Sequence, residues 1–223
     1  MYHVIFDMDG VIFDSERTLL SCWIKMAGKY GLDQELVRKT YIKCIGTNIQ
    51  QTTEIYKSAF QNILTDDMLR CIWDESVQLH RKRYADGALP IKTGVTEILD
   101  YLKSSGISVG IASSTKKQKV EQQIKNAGLY DYFVGMIGGD AVKISKPNPE
   151  IYLLACREFG FAPGNTFAIE DSFNGIRAAN AAGMRPIMVP DIVPADAEMS
   201  RLSEIVCKDL TEAMNYLKKV SAS

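Results

Sequence analysis

An unbroken apolar run, Val4-Ile5-Phe6, leads straight into Asp7-Met8-Asp9-Gly10-Val11. A short run of β-branched and aromatic residues predicts a strand buried on both faces. The rhythm then changes. Leu19, Leu20, Trp23, Ile24 and Ala27 recur at helical spacing, with Gly31 as a stop. Leu36, Val37 and Tyr41 predict a second, short helix, and a break follows at Ile45-Gly46-Thr47-Asn48. A third helix is expected from about Ile49 to Phe60. Thr65, with acids in the next two positions, is a good N-cap for a fourth that carries Met68, Leu69, Ile72, Trp73 and Leu79. No convincing strand occurs between 15 and 85, so this stretch reads as a small helical bundle inserted after the first strand.

Asp86-Gly87-Ala88-Leu89-Pro90 has turn chemistry and reads as the return linker. From there strand and helix alternate. Val95, Ile98, Leu99 and Leu102 form one helical face that ends at Gly106. Strands are expected at Ile107–Ala112, Phe133–Ile137, Thr166–Ile169 and Pro186–Val189, with a sixth at Ile205-Val206. Between them lie helices after Ser113-Ser114-Thr115, after Pro149 and around Ile176, Ala179 and Ala182, with a last one from Leu210 to Leu217. Such alternation predicts an α/β fold, a parallel sheet with helices on both faces. The expected organisation is a core from 1–14 and 86–223, interrupted by a helical domain from 15–85.

Composition narrows the function classes. The chain has 223 residues and a formal net charge of −1, without the basic excess of a nucleic-acid surface. No stretch approaches the roughly 18 apolar residues of a membrane span, and no signal peptide is evident. Five scattered cysteines without a C-x-x-C pair suggest free thiols and a cytoplasmic protein. With only His3 and His80, a His-based zinc site or a Ser-His-Asp triad is poorly supplied. A monomer is the default expectation.

The chemistry gathers at strand ends. After the first strand come Asp7 and Asp9; after the second, Ser113-Ser114-Thr115; beyond the third, Lys146-Pro147; after the fourth, Glu170 and Asp171. In a parallel sheet these ends share one edge, where ligands bind. Each has a plain alternative: Asp9-Gly10 suits a hairpin turn, Ser113-Ser114-Thr115 an N-cap, Lys146 an exposed loop position, and Glu170-Asp171 an acidic helix start. Together they describe a phosphoryl site. Clustered acids need a cation, hard oxygen ligands favour Mg²⁺, and a lysine beside a helix N-terminus attracts phosphate. A calcium loop counted from Asp7 fails, because Val11 and Ile12 fall where an oxygen ligand and a glycine are required.

On these residues the sequence resembles the haloacid dehalogenase superfamily over essentially its whole length, within the β-phosphoglucomutase and phosphosugar phosphatase-like subgroup. Asp7-Met8-Asp9-Gly10-Val11 resembles the first motif of that family, Ser113 the second, Lys146 the third and Glu170-Asp171 the fourth. The insert resembles its helical C1 cap, which implies a domain that closes over the site and carries substrate choice. The resemblance implies Asp7 as nucleophile and metal ligand, and Asp9 as general acid and then base, with its carbonyl on the metal. Ser113, Ser114 and Lys146 would hold the phosphoryl group; Asp171 would complete the Mg²⁺ sphere, with Glu170 in or beside it. The implied activity is hydrolysis of a small phosphorylated metabolite, most simply a sugar phosphate, through an aspartyl-phosphate. The alternative is intramolecular phosphoryl transfer. The mutase's cap histidine would fall at about Leu19, and its cap arginine has no clear counterpart in Thr47-Asn48-Ile49-Gln50.

Overall fold

A computed structural model describes residues 2–45, 49–84 and 89–222. The expected break at Gly46-Thr47-Asn48 and the expected return segment Asp86-Gly87-Ala88 lie outside the described residues. The chain forms two compact units, Met1–Asp14 with Pro90–Ser223, and Ser15–Leu89.

The first unit is built on six strands: β1 (His3–Phe6), β2 (Val109–Ala112), β3 (Gly135–Ile137), β4 (Thr166–Glu170), β5 (Arg185–Met188) and β6 (Ile205–Val206). They form one sheet in the order β3-β2-β1-β4-β5-β6, and every neighbouring pair is parallel. β1 and β4 are completely buried along almost their whole length, which is why they read as continuous apolar runs. Side chains alternate between two helical layers. Ile5, Ala112 and Ala168 pack with Ile151, Tyr152, Ala155, Ala178 and Ala179, from α7 (Glu150–Phe159) and α8 (Phe173–Ala181). Phe167, the residue before Ala168 on β4, turns to the other side and meets Tyr216 of α10 (Leu210–Ser221) edge-on at 6.2 Å. α10 packs there against α5 (Val95–Ser104). Each fully buried Ile or Leu of these layers contributes about 1.5–3 kcal/mol.

The hairpin alternative for Asp9-Gly10 does not hold, because both neighbours of β1 run parallel to it. A tight turn follows instead, in which Ile12 N and Phe13 N donate to Met8 O and Gly10 N donates to Phe13 O. β2 starts at Val109, later than the apolar run suggested. Gly106 at φ +67° reverses the chain, and Ile107 N still donates back to Leu102 O, so Ile107 belongs to the end of α5. α6 (Lys117–Asn126) starts past Ser113-Ser114-Thr115, with Lys116 at its N-cap. The N-cap alternative for the serines therefore does not hold either.

The second unit contains α1 (Ser15–Lys29), α2 (Gln34–Cys44), α3 (Ile49–Phe60) and α4 (Asp66–Arg83). Asp33 and Thr65 cap α2 and α4, accepting from Leu36 N and Met68 N. Trp23, Tyr56, Phe60 and Trp73 form its aromatic core, with Trp23 stacked on Tyr56 at 4.5 Å. Thr18 Oγ1 lies 3.0 Å from His80 Nε2, tying α1 to α4. No helix of the described residues is long and apolar enough to cross a membrane.

Candidate active site

Register brings the first unit's acids together. Phe6 pairs with Ile111 on one side and Ile169 on the other, so the next residue of each strand, Asp7, Ala112 and Glu170, stands at one level of the sheet's carboxyl edge. Asp7 N donates to Ile169 O at 3.0 Å, and Ser113 N to Ile137 O at 3.0 Å. Asp7, Glu170 and Asp171 are buried, and each has an oxygen within 4.8 Å of the others.

Lys146 enters this group from the loop before α7, next to a cis bond to Pro147. Its ammonium donates to Asp7 Oδ1 at 2.5 Å, Glu170 Oε1 at 2.6 Å and Ala112 O at 3.1 Å. Its side chain is only 6 % exposed, which excludes the exposed-loop alternative. Three donors meet three acceptors, so the charge is fully satisfied. Burial opposes that charge, but Asp7 and Glu170 outweigh it and hold the ammonium well above its usual range. Burial pushes the Asp7 carboxyl above its ordinary range, and Glu170 and Asp9 add to this, while the Lys146 ammonium opposes it and favours the charged form.

Glu170 has both oxygens occupied. Oε1 accepts from Lys146 and from Tyr152 OH at 2.6 Å. Oε2 accepts from Asp171 N, Ser172 N and Ser172 Oγ. The backbone of α8 comes so close that a Cβ at Gly175 would overlap the Glu170 carboxylate. Gly10 approaches Asp171 in the same way: its φ is +80°, and a Cβ there would overlap the Asp171 carboxylate. Gly10 thus serves a left-handed turn and a contact that no side chain would allow.

Asp9 lies at the turn beyond β1, and its Oδ2 accepts from Thr115 Oγ1 at 2.7 Å. Ser113 is fully buried, and its Oγ accepts from Thr115 N at 3.1 Å; its hydroxyl proton remains available as a donor. Ser114 is exposed. Sequence patterning did not single out Tyr152 or Gly175. Tyr152 occupies an apolar helical position among core residues, and a lone glycine in a helix carries no chemical signal. Thr115 stood in the hydroxyl run, with nothing in its spacing to join it to Asp9.

The arrangement can do two things. Its oxygen donors, the carboxylates of Asp7 and Asp171, fit a hard divalent cation, and no Cys or His takes part. Lys146 and Ser113 offer a positive charge and a hydroxyl beside a carboxylate whose own charge is balanced, suiting an anionic group that must approach Asp7.

The family model of haloacid dehalogenase-like hydrolases matches residues 4–189. Among curated proteins the chain is 31% identical over 187 residues to a phosphorylated carbohydrates phosphatase of Thermotoga maritima, covering 84% of each. It is 28% identical over 216 residues to hexitol phosphatase B of Escherichia coli, covering 92% of this chain and 95% of the relative. Among solved structures, a β-phosphoglucomutase from Clostridium difficile superposes with a TM-score of 0.72 at 23% identity, covering 98% of this chain and 96% of that one; this likeness concerns the fold. The match spans Asp7, Ser113, Lys146, Glu170 and Asp171 and every strand but β6, and on that ground the chain belongs to the haloacid dehalogenase-like hydrolase family.

Proposed function

We propose that the protein is a Mg²⁺-dependent phosphatase that hydrolyses a small phosphomonoester, a sugar or polyol phosphate, through an aspartyl-phosphate on Asp7. The observation that carries this reading is the buried group in which Lys146 bridges Asp7 and Glu170 while Asp171 stands within reach of the same point. The names of the phosphatase relatives support the substrate class.

In this reading Asp7, Asp171 and the Asp9 main-chain carbonyl hold the cation. When bound, it supplies positive charge against the phosphoryl oxygens and the nucleophile. Glu170, whose oxygens already accept five hydrogen bonds, serves as the counter-charge that orients Lys146. An oxygen of the Asp7 carboxylate attacks phosphorus as the bond to the ester oxygen breaks, and Asp9 gives that oxygen a proton. Ser113 and the Lys146 donor directed at Asp7 hold the phosphoryl oxygens. Asp9, now a carboxylate, takes a proton from water; the water oxygen attacks phosphorus, and Asp7 leaves as inorganic phosphate forms.

The test is phosphate release from a panel of hexose, pentose and hexitol phosphates, with and without Mg²⁺. Release that needs Mg²⁺ and falls at least ~10³-fold in Asp7→Asn is expected. Normal turnover by Asp7→Asn would remove the nucleophile assignment. Formation of an isomeric hexose phosphate without free phosphate would favour the mutase. By the resemblance, the mutase's cap histidine would fall at about Leu19, and the leucine there favours the hydrolase reading.

A further inference from the structure

The Asp9 carboxylate makes one hydrogen bond among the described residues, and its donor comes from a different strand end: Thr115 Oγ1 to Asp9 Oδ2, 2.7 Å. The segment that carries Thr115 is held from three directions. Thr115 N donates to Ser113 Oγ at 3.1 Å. Gly139 N donates to Thr115 O at 2.9 Å. Lys117 N, at the start of α6, donates to Asp140 Oδ1 at 2.8 Å. The loop Gly138-Gly139-Asp140 lies tight against it, since a Cβ at Gly138 would overlap Lys117 N and one at Gly139 would overlap Ser114 O. A short polar side chain this firmly anchored offers its hydroxyl at a fixed place.

We infer that Thr115 is a positioning residue for the acid and base function of Asp9: its hydroxyl fixes Oδ2 and so leaves Oδ1 as the oxygen that gives and takes the proton. This rests on the reading of Asp9 as acid and base. A carboxylate on a turn has two free torsions, and proton transfer needs its oxygen within hydrogen-bond reach of the leaving group. Holding one oxygen aims the other and removes the search. The Gly138-Gly139-Asp140 loop contributes by keeping the Thr115 backbone still.

The test compares kcat/KM, which reports steps up to departure of the leaving group, for two esters. One is p-nitrophenyl phosphate, whose leaving group needs no proton; the other is the best hexose or hexitol phosphate of the panel, whose alkoxide does. Thr115→Val keeps shape and loses the hydroxyl. It should lose ~10-fold or more on the sugar phosphate relative to its loss on the aryl ester, and Thr115→Ser should restore the ratio. Inhibition by inorganic phosphate should stay within ~3-fold of the parent protein, as expected for a residue that acts through Asp9. Equal losses on both esters, or weaker phosphate inhibition to the same degree, would mean that Thr115 holds substrate or the fold, and would overturn the inference. Asp9→Asn is the control. If it shows the leaving-group dependence and Thr115→Val does not, only the role of Thr115 falls. If Asp9→Asn loses equally on both esters, the acid–base reading falls and takes this inference with it.

Discussion

Lys146 is the residue at which most of the site's energetics meet. Its three donors join the acid just after β1, an acid at the end of β4 and a carbonyl at the end of β2, so a single side chain ties three strand ends together. Tyr152 braces the same network through its hydrogen bond to Glu170, and burial with the nearby Glu170 charge keeps its phenol well above the usual range, hence protonated and donating. Tyr152→Phe should cost about 1.5–3 kcal/mol in urea unfolding, the range for hydrogen bonds to charged groups. The exposed bond from Tyr132 to Asp100 is the comparison, and Tyr132→Phe should cost clearly less, because water replaces an exposed hydrogen bond. Equal costs would show that burial does not strengthen the Tyr152 bond. Gly10 makes a second prediction. Gly10→Ala strains a left-handed turn and drives a methyl into the Asp171 carboxylate, so if Asp171 holds Mg²⁺ as proposed, the Mg²⁺ concentration at half-maximal activity should rise at least ~10-fold. An unchanged Mg²⁺ requirement would separate Asp171 from the cation.

At the scale of elements, the sheet edge has its own electrostatic fastening. Arg185, at the start of β5, donates to both oxygens of Glu204, just before β6. The Arg185 hydrogen bonds, joined by one from Tyr216, hold the Glu204 carboxyl below its ordinary value of 4.5. A depressed carboxylate stabilises the fold fully above its unfolded value, and the contribution is lost as pH falls through the folded value. Both side chains are about a third exposed, so the pair is worth under about 1 kcal/mol. Glu204→Gln should therefore be slightly less stable than the parent at pH 7, and the deficit should shrink as pH is lowered from 4.5 toward 3, measured by urea unfolding; a difference unchanged across that range would remove the ionic argument. The elements themselves were uneven in legibility. Long periodic stretches such as Val95, Ile98, Leu99 and Leu102 announce a helix by spacing alone. α9 (Ala197–Leu202) does not: it has one buried residue, Met199, and its start depends on Asp196 accepting from Met199 N.

For the whole molecule, the two units raise the question of whether the first needs the second. The chain leaves the first unit at Asp14 and returns at Pro90, and these ends are already joined: Asp14 N donates to Pro90 O at 2.9 Å, and Lys92 N to Ile12 O at 2.9 Å. Replacing residues 15–89 by a short Gly-Ser linker should therefore leave the six-stranded unit folded, with a cooperative thermal transition and a native circular dichroism spectrum. If the larger unit has its own core, as its buried layers indicate, aryl phosphate hydrolysis should persist while discrimination among sugar phosphates collapses. A molten, non-cooperative product would show that the helical unit is part of the core's stability.

The sequence by itself determined the order of strands and helices, the helical stretch after the first strand, and which carboxylates and hydroxyls close the apolar runs. It could do so because local periodicity reports burial, and a polar residue that closes an apolar run marks where the strand meets solvent. Tertiary structure alone decided who touches whom. That Glu170 turns to Lys146 and Tyr152, that Gly10 makes room for Asp171, and that Thr115 reaches Asp9 across 106 positions of chain all depend on strand order and register. Neighbours in a parallel sheet are chosen by packing across the crossovers, and no residue carries that choice in its own spacing.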